Sequence, residues 1–434
     1  MYTKVRSLSI IFLVSMTTII FLISSCKQDK DPITPPADPP ETQKHIEWPS
    51  LAKSPWPMYG GGPQFTFRSE YNGPSIGEVE WTLNVPGVNK VQSITSPVIA
   101  PDSTIYFVSS YETLPDFPTP NALLYAVEPD GTIKWKRRIA KDSSDYGWFY
   151  SLTTPTVLVS GDIIVASPQF HIFSFSPEGN LNWYFESPAK AIDSRTIVAS
   201  KSGDLFFVNQ DGVLYCLNPN GSLKWTQYVD FGFSQSHSPS ISPDGATLYL
   251  TGAPGSKSLY AFTIDGIQKW FFDNPKYLLY HPLIDNEGNI YVPTHSPKKD
   301  TVNSFIYSLN GNGEIRWKYK ISSQFPSNLV MDSYGNIYFI DDNGTSFWIT
   351  CLDYNGNKQW TKILSQVHTN TLFIDREGSL YIYTDHFYKY SNKGNTVTTL
   401  PISQPIWTSP IIGSDNSIIV TSVGSSNTYL TKIK

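Results

Sequence analysis

The chain has 434 residues, with 37 acidic against 32 basic side chains, a formal charge of −5 and three cysteines, no two of them adjacent. A negative balance gives nucleic-acid binding no electrostatic support. Aromatics make up 14% of the residues, and little of the chain after its first segment carries a helical period, so the composition fits a large all-β domain.

Lys4 and Arg6 precede an apolar stretch at residues 8–22, interrupted by small hydroxyl residues, which runs into Ile23-Ser24-Ser25-Cys26. The run is too short and too hydroxylated for a membrane span. Its end has the form of a bacterial lipobox, so residues 1–25 are expected to be a lipoprotein signal peptide and Cys26 the lipidated residue. Removing Lys4 and Arg6 with the signal takes the charge from −5 to −7. Residues 27–49 hold six prolines (Pro32, Pro35, Pro36, Pro39, Pro40 and Pro49) and read as an extended tether, so residues 26–50 are assigned to the anchor and its linker. Asp29 and Asp31 loosely resemble the acidic surface-export signal of Bacteroidetes lipoproteins, and a solvated linker start explains them as well. The expected location is the outer membrane of a Gram-negative bacterium, on its periplasmic or its surface side.

Residues 51–434 carry an internal repeat. The unit is clearest at residues 238–270, where short β-forming runs are separated by Pro243-Asp244-Gly245, a Gly/Pro/Ser/Lys loop and Asp265-Gly266. This is the pattern of a four-stranded antiparallel meander. The turn-plus-tryptophan signature ends at Trp135, Trp183, Trp225, Trp270, Trp317 and Trp360, and a degenerate copy at residues 393–398 has lost its tryptophan. Successive tryptophans lie 42 to 48 residues apart, the period of a propeller blade. The last unit, residues 408–434, holds three strands. Its fourth is supplied by Gly77-Glu78-Val79-Glu80-Trp81, which closes a ring of eight four-stranded blades and removes free sheet edges.

The Asp/Asn-Gly-x-x-x-Trp repeat following Leu-Tyr-Ala resembles that of pyrroloquinoline-quinone-type eight-bladed propellers. The lead-in Trp56-Pro57-Met58-Tyr59-Gly60-Gly61, with Arg68 further on, is similar to the segment that precedes the first blade in that group. The resemblance covers roughly residues 54–434. It implies the propeller fold, and the group includes quinoprotein dehydrogenases as well as outer-membrane assembly lipoproteins similar to BamB. Its dehydrogenases hold their quinone beside a vicinal disulfide, which this chain lacks. Cys216 and Cys351 stand where other copies have alanine and read as small buried strand residues. No cofactor, metal site or catalytic residue is therefore expected.

Within each meander, the two short hairpin turns share one face, here called the turn face. The longer connections, including residues 109–121, 141–151, 227–237, 271–281 and 293–303, emerge on the opposite face, the loop face. Variable loops on a rigid scaffold suit binding, and Trp148 and Tyr150 are candidate contacts there. Where each innermost strand begins, the repeat places mostly small hydroxyl and amide residues (Ser96, Thr154, Thr196, Ser238, Asn328, Thr371 and Ser409), the composition of a solvated channel mouth. Arg195, His237, Tyr280 and His281 break that ring in consecutive units and are candidate ligand-binding residues. The sequence thus supports a lipid-anchored, monomeric, non-catalytic propeller that binds a protein partner or glycan on its loop face. The alternative is a carbohydrate-active lyase or hydrolase working at the channel mouth.

Overall fold

The computed structural model describes residues 43–434 except 76, 86–93, 115–116, 141–151, 168–170, 189–191, 193, 230–237, 253–258, 274–276, 279–280, 296–303, 323–326, 366–370, 403, 407 and 425–426. Every element among the described residues is a strand. The strands form eight antiparallel sheets in a ring, numbered here as blades 1 to 8 in chain order. Blade 4 shows the unit: Ser240–Ile241, Thr247–Thr251, Leu259–Thr263 and Gln268–Phe272, each paired with the next. Its middle strands are buried along nearly their whole length, because neighbouring blades cover both of their faces. The outermost strand alternates between exposed and half-buried.

Blade 8 combines the chain's two ends. Ile411–Ile412, Ile418–Val423 and Thr428–Ile433 are joined by Val79–Val85, which pairs antiparallel with Thr428–Ile433. The closing strand begins two residues later than the sequence suggested and runs further. Blade 5 has an additional short strand, Tyr277–Leu278, on the end of Ile290–His295. Residues 109–121, expected as an irregular loop, are largely a continuation of blade 1: Ile105–Leu114 and Phe117–Val127 pair with two register shifts. Pro118 and Pro120, which have no N–H to give the ladder, fall between the paired residues Phe117 and Asn121, where the register shifts.

The repeated tryptophan holds one blade to the next. A Cβ on the turn glycine of the following blade would meet its indole: Gly131 against Trp81 at 2.7 Å, Gly179 against Trp135 at 2.8 Å, Gly356 against Trp317 at 2.6 Å. The same pairing occurs at seven of the eight junctions, and each of those glycines has a positive φ. The indole N–H donates to a carbonyl of that same turn in five cases, as from Trp317 to Tyr354 at 3.0 Å. Opposite six of these seven tryptophans in their own sheets stands a small residue, Ala126, Ser174, Cys216, Ala261, Ser308 or Cys351, which leaves room for the ring, whereas Trp81 faces Lys432. Both cysteines are free and buried, as expected.

The eighth junction explains the degenerate repeat. Blade 8 has no third hairpin turn, because its last two strands come from opposite ends of the chain; Glu78 and Lys434 exchange backbone hydrogen bonds of 2.8 Å there instead. A tryptophan on blade 7 would have nothing to dock on, and the position holds Thr398. Lys389 fills the facing slot and reaches Asp375 at 3.6 Å and the Pro74 carbonyl at 3.4 Å, tying down the segment that leads to the closing strand.

Candidate functional site: a plugged propeller axis

The innermost strand of each blade has one edge with no partner strand, and those edges line the axis. Buried N–H groups there need acceptors. The chain supplies them from residues 43–75. The carbonyls of Trp56, Pro57, Pro63, Gln64, Thr66 and Phe67 accept from the N–H groups of Ile99, Val157, Ile241, Ile284, Met331 and Ile374, one in each of six blades, at 2.8–3.2 Å. A seventh blade is met by Trp48, whose indole N–H donates to the Ala199 carbonyl at 2.7 Å, and by Ser50, whose hydroxyl donates to Ser200. The segment therefore winds around the axis as a plug. Residues 43–50, assigned to the tether from sequence, belong to it: Gln43 donates from its backbone to Ser333 and accepts from Asn286 through its side chain, and is 3% exposed.

Trp56, Met58, Phe65 and Phe67 are at most 1% exposed. Phe65 and Phe67 both adopt left-handed backbone conformations (φ 50° and 53°), a strained geometry for aromatic residues that aims both rings into the axis. Gly60 has φ 77°, and a Cβ there would meet the Phe65 ring at 2.5 Å, so the tight approach requires glycine.

His281 stacks on Phe65 with centroids 4.2 Å apart and meets the Tyr59 ring edge-on at 5.4 Å; it is 5% exposed. Arg195 is exposed, with its guanidinium 5.9 Å from the centre of the same Tyr59 ring. The two residues are thus brought together through an aromatic of the plug, which the sequence reading had not connected to them. His237, Tyr280, Trp148, Tyr150 and Cys26 lie outside the described residues.

Six members of the expected solvated ring are instead buried, Ser96, Thr154, Thr196, Ser238, Asn328 and Ser409 being at most 5% exposed, and the seventh, Thr371, is half-buried. They join blade to blade. The Ser238 hydroxyl donates to the Thr196 carbonyl at 2.9 Å and accepts from its N–H at 3.0 Å. Asn328 makes the equivalent pair of bonds with Leu372, and the Ser96 hydroxyl accepts from Ser409 N–H at 2.9 Å. Between blades 2 and 3 the backbone also pairs directly, Thr154 N–H donating to the Arg195 carbonyl at 2.7 Å.

On the turn face the plug leaves a cleft of about 390 Å³ between its own residues and Asn286. Arg68 lies at its edge, donating to the carbonyls of Asp332 at 2.9 Å and Lys44 at 3.3 Å. Burial draws its guanidinium below the ordinary value, while Glu70 and Asp332 act to raise it. Beside it, His45 and Glu70 approach to 3.6 Å. Among the described residues no group of His, Cys, Asp and Glu is arranged to hold a metal ion.

Residues 168–394, more than half the chain, match the family described as outer membrane protein assembly factor BamB. Among solved structures, BamB from Moraxella catarrhalis is 13% identical with a TM-score of 0.54, covering 82% of this chain and 98% of that one. The C-terminal WD40 domain of Sif2 is 12% identical with a TM-score of 0.57, covering 83% and 99%. At such identities the two structures show a shared fold alone. No curated protein sequence matches the chain.

Proposed function

Because the chain belongs to the outer membrane protein assembly factor BamB family, we propose that it is a non-catalytic cell-envelope lipoprotein whose propeller is a scaffold for a protein partner. Anchoring is assigned to a lipid on Cys26, and the location to the outer membrane. The partner surface is the loop face, with Arg195 beside Tyr59 as its central described contact. An exposed guanidinium held over an aromatic ring suits an acidic side chain of a partner.

The observation that carries this reading is the plug. Small-molecule sites of ring-shaped folds favour the axial concavity, and here packed aromatics and six backbone hydrogen bonds occupy it from the turn face. The loop face, on the other side of the plug, is therefore assigned to a macromolecule.

The test is made in the source bacterium. Loss of the gene is expected to lower the amount of folded β-barrel protein in the outer membrane, and the whole chain to restore it. Cys26→Ser is expected to release the protein from the membrane fraction and to restore poorly. Unchanged β-barrel levels after loss of the gene would contradict the scaffold assignment, and membrane retention of the Cys26→Ser protein would contradict the anchor.

A further inference from the structure

Six asparagines stand directly before a glycine: Asn72, Asn220, Asn310, Asn312, Asn343 and Asn355. A side-chain amide so placed can close a ring on the next backbone nitrogen, which a glycine leaves uncovered. We propose that Asn343 is a self-modifying site, whose surroundings drive its conversion to aspartate and isoaspartate in the folded protein. It sits in the hairpin between Ile337–Asp342 and Phe347–Leu352 of blade 6, where residues 343–346 are all exposed.

Two features act together there. The Gly344 N–H, whose nitrogen is the nucleophile, donates to the Asp342 carboxylate at 2.9 Å. A base must lie within hydrogen-bond reach of the proton it removes, and this one does. The Asn343 side-chain oxygen accepts from the Thr345 N–H at 3.1 Å, the Thr345 hydroxyl at 2.9 Å and the Ser346 N–H at 2.9 Å. Three donors polarise the carbonyl and meet the negative charge that develops on it. The Gly344 nitrogen bonds to the amide carbon as its proton passes to Asp342. The carbon–nitrogen bond of the side-chain amide then breaks, Asp342 hands the proton to the departing group, and ammonia leaves. Water opens the resulting imide at either carbonyl, which gives aspartate or isoaspartate at 343. The product adds a negative charge to the loop face, beside Asp342.

The other pairs are built differently. Gly221, Gly313 and Gly356 donate to the backbone carbonyls of Asn218, Asn310 and Asp353, each at 2.9 Å. A Cβ on those glycines would meet the indoles of Trp183, Trp270 and Trp317 at 2.4–2.8 Å, whereas one on Gly344 would meet nothing within 4 Å. The chain at Gly344 thus has the room to bend that ring closure needs. Asn220 isolates the role of the base. Its oxygen is also capped, by the Ser222 N–H at 3.1 Å and hydroxyl at 2.7 Å, but its glycine N–H goes to a carbonyl. Asn72 and Asn310 donate their amide nitrogens to Glu377 at 2.9 Å and Glu314 at 2.7 Å. Such a bond feeds electron density into the amide and strengthens the link that must break.

Peptide mapping by mass, on the whole chain aged in its folded state near neutral pH, tests this assignment. Conversion is expected at Asn343 ahead of the other five, as a mixture of aspartate and isoaspartate. Asp342→Asn is expected to slow it at least about tenfold, since positioned bases contribute roughly 10²–10⁴, with the unfolding midpoint nearly unchanged. In urea the lead of Asn343 should vanish, because the fold holds the base and the three donors in place. Conversion in the folded protein no faster than at Asn220 overturns the proposal, as does an Asp342→Asn protein that converts at the unsubstituted rate. A lead that persists in urea overturns it too, because the local sequence alone would then account for it. None of these results bears on the protein-partner reading, whose readout is β-barrel assembly.

Discussion

The glycine of each third hairpin turn answers two demands that a substitution can separate. Gly356 has φ 79° and lies where a Cβ would meet the Trp317 ring at 2.6 Å, whereas Gly344 has φ 85° with nothing within 4 Å. Placing alanine at either position costs the left-handed backbone term, roughly 1–2 kcal/mol. At Gly356 it also pushes out the indole that binds blade 5 to blade 6. Gly356→Ala is therefore expected to destabilise by more than Gly344→Ala, by at least about 1 kcal/mol, in chemical denaturation. Equal costs would remove the tryptophan–glycine contact from the account. Burial pushes the thiols of Cys216 and Cys351 up to about 12. Both are expected to resist thiol reagents in the folded protein at pH 8 and to react on unfolding. The sequence made these residues legible because their slot holds alanine in sister repeats. Tyr59 and Phe65 were not legible as partners of Arg195 and His281, because the lead-in segment follows no repeat period and nothing local announces that it turns back into the axis.

Two elements complete the ring, the plug and the closing strand. Phe65→Ala removes a fully buried ring and its stack on His281, and is expected to cost about 3–5 kcal/mol. The amides of Ile284 and Met331, bonded to the plug on either side of that residue, should then lose hydrogen-exchange protection ahead of the blade strands. The closing strand is fastened by Lys432, which is 2.9 Å from Asp415 and 3.2 Å from Glu80. Burial acts against both charges. Even so, hydrogen bonds from Ser417 and Lys432 hold Asp415 below the usual carboxylate range, and Asp415 and Glu80 hold Lys432 above its usual value. Stability from the depressed Asp415 is present above the unfolded carboxylate value, about 3.9, and is lost as pH falls through the lower folded value. Stability from the raised Lys432 is present below the unfolded lysine value, about 10.4, and is lost as pH rises through the higher folded one. Lys432→Met is thus expected to cost roughly 1.5–3 kcal/mol near neutrality, toward the lower end because Asp415 and Glu80 are well exposed. The difference from the unsubstituted protein should shrink at both extremes, and a pH-independent difference would show that the ion pairs contribute nothing.

At the scale of the molecule, blade number and ring closure were readable because each blade repeats the same turns and the missing fourth strand has a single counterpart near residue 79. The loss of tryptophan at Thr398 looked like decay of the repeat, and the structure gives it a cause in the chain junction it faces. The hydroxyl ring was readable in position but not in role, since burial between inner strands depends on how closely eight blades pack around a filled axis. With the axis filled, the proposed partner surface is the loop face, and site-specific photocrosslinking in intact cells tests this proposal most directly. The crosslinker would replace Arg195, Tyr228 and Asn343 on the loop side, and Asp130, Asp265 and Asn355 at the turns. A protein adduct of one defined mass from the loop-side positions, with none from the turns, is the expected result. The same adduct from the turn positions, with the loop side silent, would contradict the account.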